Sequence, residues 1–401
     1  MAPSDSVPAD PARRGASRTN TAHLAVQGSL DLVGSRVEIP GTNMARLKRT
    51  PSSRRPTGSG ATSRDSARPL TGHVAVVAGA TRGAGRGIAR ALGEAGAIVY
   101  CTGRSVRGNL SPYGRPETID QTAAIIKEEG GTAIAVRVDH TVESEVESLF
   151  ARIDVEHGRL DVLVNSIAGE EPMMAQFKSF WEIDLKDGEA ILRQALLSHI
   201  ITAKHAAPLM IRRRRGLIIE VTENDILMAG GNPLSQSVKL ALKGLALNMA
   251  AELKPHGVAA IAITPGFLRS EAMLERFGVS EANWRDAGEQ DKNFLESESP
   301  LFVGRAVAAL AQDGRVLERS GQLYGSWELG REYGFTDADG RRPDWGSIAI
   351  DFSRVPPALL ELMRTGSEIQ LEWLRALTKR TERFLRQLPP ARPAPRGRTR
   401  R

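Results

Sequence analysis

The 401 residues include a single cysteine, Cys101, and no Cys/His cluster at zinc spacing, so neither a disulfide scaffold nor a structural zinc site is encoded. A chain this long buries a core large enough to fold without such staples, and a reduced, cytoplasmic setting is the expectation. The 54 Lys and Arg against 47 Asp and Glu give a net +7, yet residues 1–69 carry +6 and 378–401 carry +8, which leaves an acidic body of −7 between two basic ends.

Both ends are poor in aromatics and rich in Pro, Ser, Gly and Arg, a composition that cannot bury a core. Residues 1–69 are therefore read as a disordered basic extension, with no specific nucleic-acid partner. An Arg- and Ser-rich transit peptide and a true start at Met44 are two further readings of the same stretch. No run approaches the ~18 to 20 apolar residues of a membrane span. Residues 346–401 are read as a helical extension with a basic tail. Leu359, Leu362, Leu371, Trp373, Leu374, Leu377 and Leu385 recur at helical spacing beside Lys379, Arg380, Arg383 and Arg386. Such a helix docks on the body or on a partner subunit in preference to a membrane surface.

From residue 70 to about 345 the texture alternates between strand and helix. Apolar strands are predicted at 73–78, 98–101, 133–138, 161–164, 217–221 and 258–264, with a closing strand near 322–325. Between them lie helices at 83–95, 117–129, 142–157, 188–213 and 235–254. Short buried strands separated by helices imply parallel pairing with right-handed crossovers. The fold class expected is therefore α/β, one doubly wound parallel sheet, without internal repeats.

The strongest local signal is the turn from the first strand into the first helix, Gly79-Ala-Thr-Arg-Gly83-Ala-Gly85. Glycines are needed where backbone N–H groups approach a pyrophosphate at a helix N-terminus, and the strand–turn–helix setting separates this pattern from a turn made for packing alone. After the second strand there is no acidic residue up to Pro116, where an NAD-binding protein places Asp or Glu against the ribose. Arg104 stands there instead, with Arg82 in the glycine loop, and both suit a 2′-phosphate. NADP(H) is the cofactor expected.

These residues, with Asp139 after the third strand, Asn165 in Leu163-Val-Asn-Ser-Ile-Ala-Gly169, Lys239 in a long helix and Pro265-Gly266 after the sixth strand, resemble the short-chain dehydrogenase/reductase family, with its Rossmann-like fold. Gly103-Arg-Ser, Arg115-Pro-Glu-Thr-Ile119, Val138-Asp-His140, Phe180-Trp-Glu182 and Tyr333-Gly-Phe-Thr-Asp-Ala-Asp-Gly340 are similar to a bacterial subgroup related to the mammalian dehydrogenase/reductase proteins. The resemblance implies that Asp139 holds the adenine edge, that Asn165 and Ala168 line the cofactor, and that Ser270 reaches its carboxamide side. It also implies a homodimer or homotetramer, built on the helices 188–213 and 235–254.

The family's proton relay is a Tyr four residues before a Lys, with a Ser and an Asn. Here only Lys239 is kept: Ser235 stands at the Tyr position, Thr222-Glu223 at the Ser position and Ala195 at the Asn position. Glu223 and Asp225 are candidate replacements for the lost acid/base, unless Glu223 is a solvated loop end or a salt-bridge partner, and His199, one turn after Ala195, either points into the cleft or packs. Met273, Phe277, Trp284 and Phe294 mark 267–300 as a substrate-covering segment, which suggests a small-molecule substrate that is apolar or bulky, unless these side chains simply pack. Two functions fit these residues. One is an NADP(H)-dependent oxidoreductase with a rewired relay, in which Lys239, Ser235, Glu223 and Thr222 carry the chemistry. The other is a nucleotide-binding pseudoenzyme with a sensing or assembly role.

Overall fold

The computed structural model describes residues 68–110, 114–168, 180–223 and 233–347. Seven strands form one parallel sheet in the order β3-β2-β1-β4-β5-β6-β7. They are β1 Val74–Ala78, β2 Ile98–Gly103, β3 Thr132–Arg137, β4 Val162–Asn165, β5 Gly216–Val221, β6 Val258–Thr264 and β7 Leu323–Gly325. The helices between them are α1 Gly83–Glu94, α2 Ile119–Glu128, α3 Glu143–His157, α4 Leu185–Leu192, α5 Ser198–Arg213, α6 Pro233–Leu253, α7 Glu271–Phe277, α8 Pro300–Gln312 and α9 Ser326–Tyr333.

Strand alternation explains the two-sided core. Ala75, Val77, Val99, Cys101, Val164, Ile219 and Ile261 face one side, where Ile88, Leu92, Ile126 and Val303 cover them from α1, α2 and α8. Val76, Tyr100, Leu163, Ile218 and Ala260 face the other, against α3, α5 and α6 through Leu149, Ile153, Met210 and Leu253. Both faces are thus buried, which is why the strands read as continuous apolar runs. Burial also pushes the Cys101 thiol up to about 12, so it is an inert packing residue.

The predicted elements fall on these with ends shifted by at most three residues, and one differs in kind. The helix expected over 188–213 is broken by a π turn at Arg193–Leu197. There the Ser198 N–H reaches back five residues to the Arg193 carbonyl, while Ser198 Oγ donates to the Gln194 carbonyl at 2.5 Å and Thr202 Oγ1 to the Ser198 carbonyl at 2.6 Å. The extension 1–69 lies outside the described residues except for its last two, and the extension 346–401 except for its first two.

The chain runs outward from β1 to β3, then crosses back to pair β4 with β1. Between β1 and β4 the connections therefore diverge, and a crevice opens at the strands' C-terminal ends.

Candidate active site

A cleft of about 260 Å³, open to solvent, occupies that crevice. Its walls follow the ends of six strands: Gly79 and Thr81 to Ala84 after β1, Gly103 to Ser105 at β2, Val138 to Thr141 after β3, Ser166 to Ala168 after β4, Val221 to Glu223 at β5 and Pro265 after β6. Lys239, Gln194, Leu268, Ser270 and Ala272 complete it.

At the glycine loop, Gly79 adopts φ +88°, and a Cβ there would collide with the Ser166 carbonyl. Gly85 is pressed against the Gly79 carbonyl and does not line the cleft. Gly83, at φ +52°, has only the Ser270 Cβ at 3.7 Å and Leu268 near its missing side chain, so the loop stays open toward the cleft. The N-terminus of α1 has no side-chain cap from Arg82. Its Gly83 N–H instead donates to Glu271 Oε2 of α7 at 2.8 Å, and Glu271 Oε1 pairs with Arg86 at 3.1 Å. A carboxylate already sits where the loop would receive a phosphate, which shows that the loop fits an anion.

The β2 and β3 ends form the rim. Arg104 reaches toward Asp139 at 3.9 Å. Burial alone would raise the Asp139 carboxyl, but the Thr141 hydroxyl and N–H and the Arg104 guanidinium outweigh it and hold the carboxyl below its usual range.

At the inner end, Lys239 Nζ is 3.4 Å from Glu223 Oε1; the lysine is buried and the glutamate half-exposed. Thr222 Oγ1 donates to the Lys239 carbonyl at 2.9 Å, which ties the end of β5 to α6. Ser235 is buried one turn before Lys239 and is not among the cleft's lining residues. Asp225 and Tyr113 lie outside the described residues, and Tyr100, Tyr324 and Tyr333 do not line the cleft. Pro265 lines it, whereas Gly266 donates its N–H to Glu298 Oε2 behind the wall at 2.9 Å.

Ala195 is buried away from the cleft, and Gln194 faces it, with Nε2 3.5 Å from the Ala168 carbonyl. Gln194, within the π turn and one position before Ala195, is the amide side chain that this helix presents to the cleft. Of the two readings of His199, packing is the one observed: the side chain is fully buried, bound to Glu220 of β5. Asn165 is equally buried, in the same group, and touches the cleft only through the chain that follows it.

The covering segment is partly a core of its own. Trp284 and Phe294 are buried against Phe267, Met273 and Phe277, and the guanidiniums of Arg269, Arg285 and Arg341 lie 4.1, 4.5 and 4.6 Å from the Trp284 ring centre. These aromatics are packing residues. The segment reaches the cleft through Leu268, Ser270 and Ala272 instead.

A glycine loop at a helix N-terminus, at the switch point of a doubly wound sheet and facing a buried lysine, defines a dinucleotide-binding oxidoreductase architecture. Residues 73–278 match the family model described as short chain dehydrogenase. The chain is 37% identical over 293 residues to dehydrogenase/reductase SDR family member 1 of Mus musculus, covering 72% of this chain and 90% of that protein. To the Homo sapiens protein of the same name it is 36% identical over 294 residues, covering 72% and 91%. The solved structure of a 7α-hydroxysteroid dehydrogenase with NADH and 7-oxo glycochenodeoxycholic acid superimposes with a TM-score of 0.53 at 22% identity, over 69% of this chain and 98% of that one, a likeness that shows the fold. The chain belongs to the short-chain dehydrogenase/reductase family of oxidoreductases, which bind a nicotinamide dinucleotide, and is related to the mammalian dehydrogenase/reductase proteins.

Proposed function

We propose that the protein is an NADP(H)-dependent oxidoreductase that interconverts a carbonyl and an alcohol on a small molecule, with Glu223 in place of the missing tyrosine. The observation that carries this reading is the Lys239–Glu223 pair, 3.4 Å apart, at the inner end of the cleft. The bound dinucleotide would supply or take up the hydride. Arg104 and Arg82 would hold its 2′-phosphate, Asp139 its adenine edge, the Gly79–Gly85 turn its pyrophosphate, and Asn165, Ala168, Pro265, Gly266 and Ser270 would shape or touch the nicotinamide side. The Lys239 ammonium would bind the ribose hydroxyls. In alcohol oxidation Glu223 Oε1 accepts the hydroxyl proton, and Lys239 stabilises the carboxylate that is ready to take it. In reduction the same atom returns the proton. Thr222 and Ser235 set the ends of β5 and α6 that bring this pair together.

Leu268 and Ala272 support an apolar or bulky substrate now that Trp284 and Phe294 are accounted for by packing. The exposed Leu192, Leu197, Ile200, Leu240 and Leu247 on and beside α5 and α6 support the homodimer or homotetramer. Among the described residues no helix is long and apolar enough to cross a membrane. A cytoplasmic setting remains part of this reading, supported by the single, buried cysteine.

Two titrations test the cofactor assignment. NADPH should bind at least about tenfold tighter than NADH, and Arg104→Ala should bring the two near parity, because one charge-assisted pair is worth about 1.4 kcal/mol or more. A preference unchanged in Arg104→Ala would refute the assignment. Glu271 competes with the pyrophosphate for the Gly83 N–H, so Glu271→Gln should raise NADPH affinity by about threefold to tenfold. Weaker binding in that variant would mean that Glu271 shapes the loop without competing for it.

A further inference from the structure

Glu220 lies inside a central strand at 0% exposure, where an isolated carboxylate would cost several kcal/mol, so its partners define its purpose. Oε1 accepts from Asn165 Nδ2 at 2.8 Å, and Oε2 lies 2.6 Å from His199 Nδ1. On the other side of the ring, His199 Nε2 is 2.9 Å from the Ile167 carbonyl oxygen. A carbonyl only accepts, so Nε2 carries a proton, and the Nδ1–Oε2 contact needs a second one between its atoms. Imidazolium with carboxylate and imidazole with carboxylic acid both satisfy this count. In either form the pair is neutral overall and Nε2–H still points at Ile167.

The target of that donor is a wall of the cleft. The β4 ladder ends at Asn165, and Ser166, Ile167 and Ala168 then line the cleft without strand pairing. Their anchors are the Ser166 N–H to the Ala78 carbonyl at 2.9 Å, the His199 donor to Ile167, and the longer Gln194 contact to Ala168. Ser166 and Ile167 also back the glycine loop, since Gly79 leaves no room for even a Cβ against the Ser166 carbonyl and the Ile167 N–H. A displaced Ile167 carbonyl would therefore disturb both walls that face the dinucleotide.

We infer that His199 and Glu220 form a buried positioning pair, which fixes the Ser166–Ala168 wall through the His199 Nε2–H donor and thereby sets the affinity of the cofactor cleft. The inference rests on the dinucleotide reading above. His199 touches no reacting atom and is a positioning residue. Glu220 holds its ring in the donating orientation, and Asn165 holds Glu220 and the His199 backbone carbonyl.

The test is NADPH titration of the full-length wild type, His199→Leu and His199→Gln, with melting temperatures recorded alongside. Loss of the donor should weaken NADPH binding by about tenfold or more, the equivalent of one hydrogen bond to a group held in a fixed geometry. Gln, whose amide reaches the same carbonyl, should recover most of it. A purely structural role would lower both melting temperatures without this rescue. Equal affinity in wild type and His199→Leu overturns the inference and leaves the dinucleotide reading standing. A wild type that binds neither NADPH nor NADH overturns both. Should His199→Leu fail to fold, ¹⁵N spectra of the histidine-labelled wild type decide, with the resonance assigned through His199→Gln. A protonated Nε2 is expected, and a ring protonated on Nδ1 alone overturns the inference.

Discussion

Glu223→Gln should lower carbonyl–alcohol turnover by about 10²- to 10⁴-fold, the usual cost of removing a positioned acid/base, and leave NADPH affinity unchanged. The amide keeps the size of the side chain and loses only the ability to exchange a proton beside Lys239. Ser235→Tyr separates this relay from the family's tyrosine form. Ser235 is only 6% exposed and lies behind the cleft wall, so a phenol there must displace neighbours before it reaches Lys239. If Glu223 carries the proton, Ser235→Tyr lowers activity. A rise of about 10²-fold would show instead that the shortened side chain was the only defect. A wild type without turnover across a broad carbonyl panel, with little rescue by the tyrosine, would favour a pseudoenzyme that keeps the dinucleotide and has lost the reaction.

The strands, the glycine loop and Lys239 were legible because each is dictated locally. A central parallel strand must be apolar on both sides, and a pyrophosphate loop must be glycine-rich at a strand–helix junction. The parts that escaped depend on partners distant in sequence. Gln194 lies in a π turn, which leaves no trace in hydrophobic periodicity. His199 showed its polarity but not its direction, since Glu220 lies 21 residues away on another element. Within β5 that glutamate interrupts an apolar run, and this was the one sign of a buried partner that the residues offered. Trp284 and Phe294 stood open between lid and packing because aromatic spacing cannot distinguish a lid from a small core, and their burial with three arginines around Trp284 makes them a core. Glu271 and Glu298 gave no signal at all, as a charged residue in a loop or first helical turn is ordinarily solvated.

Glu298 provides the second large effect, through pH. Its carboxyl is buried under the Pro265–Gly266 wall, where Oε2 accepts from the Gly266 N–H and the Ser326 hydroxyl. Burial pushes it up to about 8, Asp337 pushes in the same direction, and the two hydrogen bonds and Arg269 oppose this without cancelling it. The folded protein thus holds this proton more tightly than the unfolded chain, in which the group titrates near 4.5. For an acid with a raised value the contribution to stability is complete below 4.5 and is lost as pH climbs to about 8, after which it changes no further. Each tenfold difference in proton affinity is worth about 1.4 kcal/mol, so the loss amounts to several kcal/mol. Glu298→Gln keeps an oxygen for the Gly266 and Ser326 donors and cannot ionise. Its melting temperature should match or fall slightly below that of the wild type at pH 5, and exceed it clearly at pH 8.5. Parallel pH profiles for the two proteins would show that Glu298 is ionised in the fold at neutral pH, and that the wall behind the cleft rests on a buried charge instead of a neutral acid.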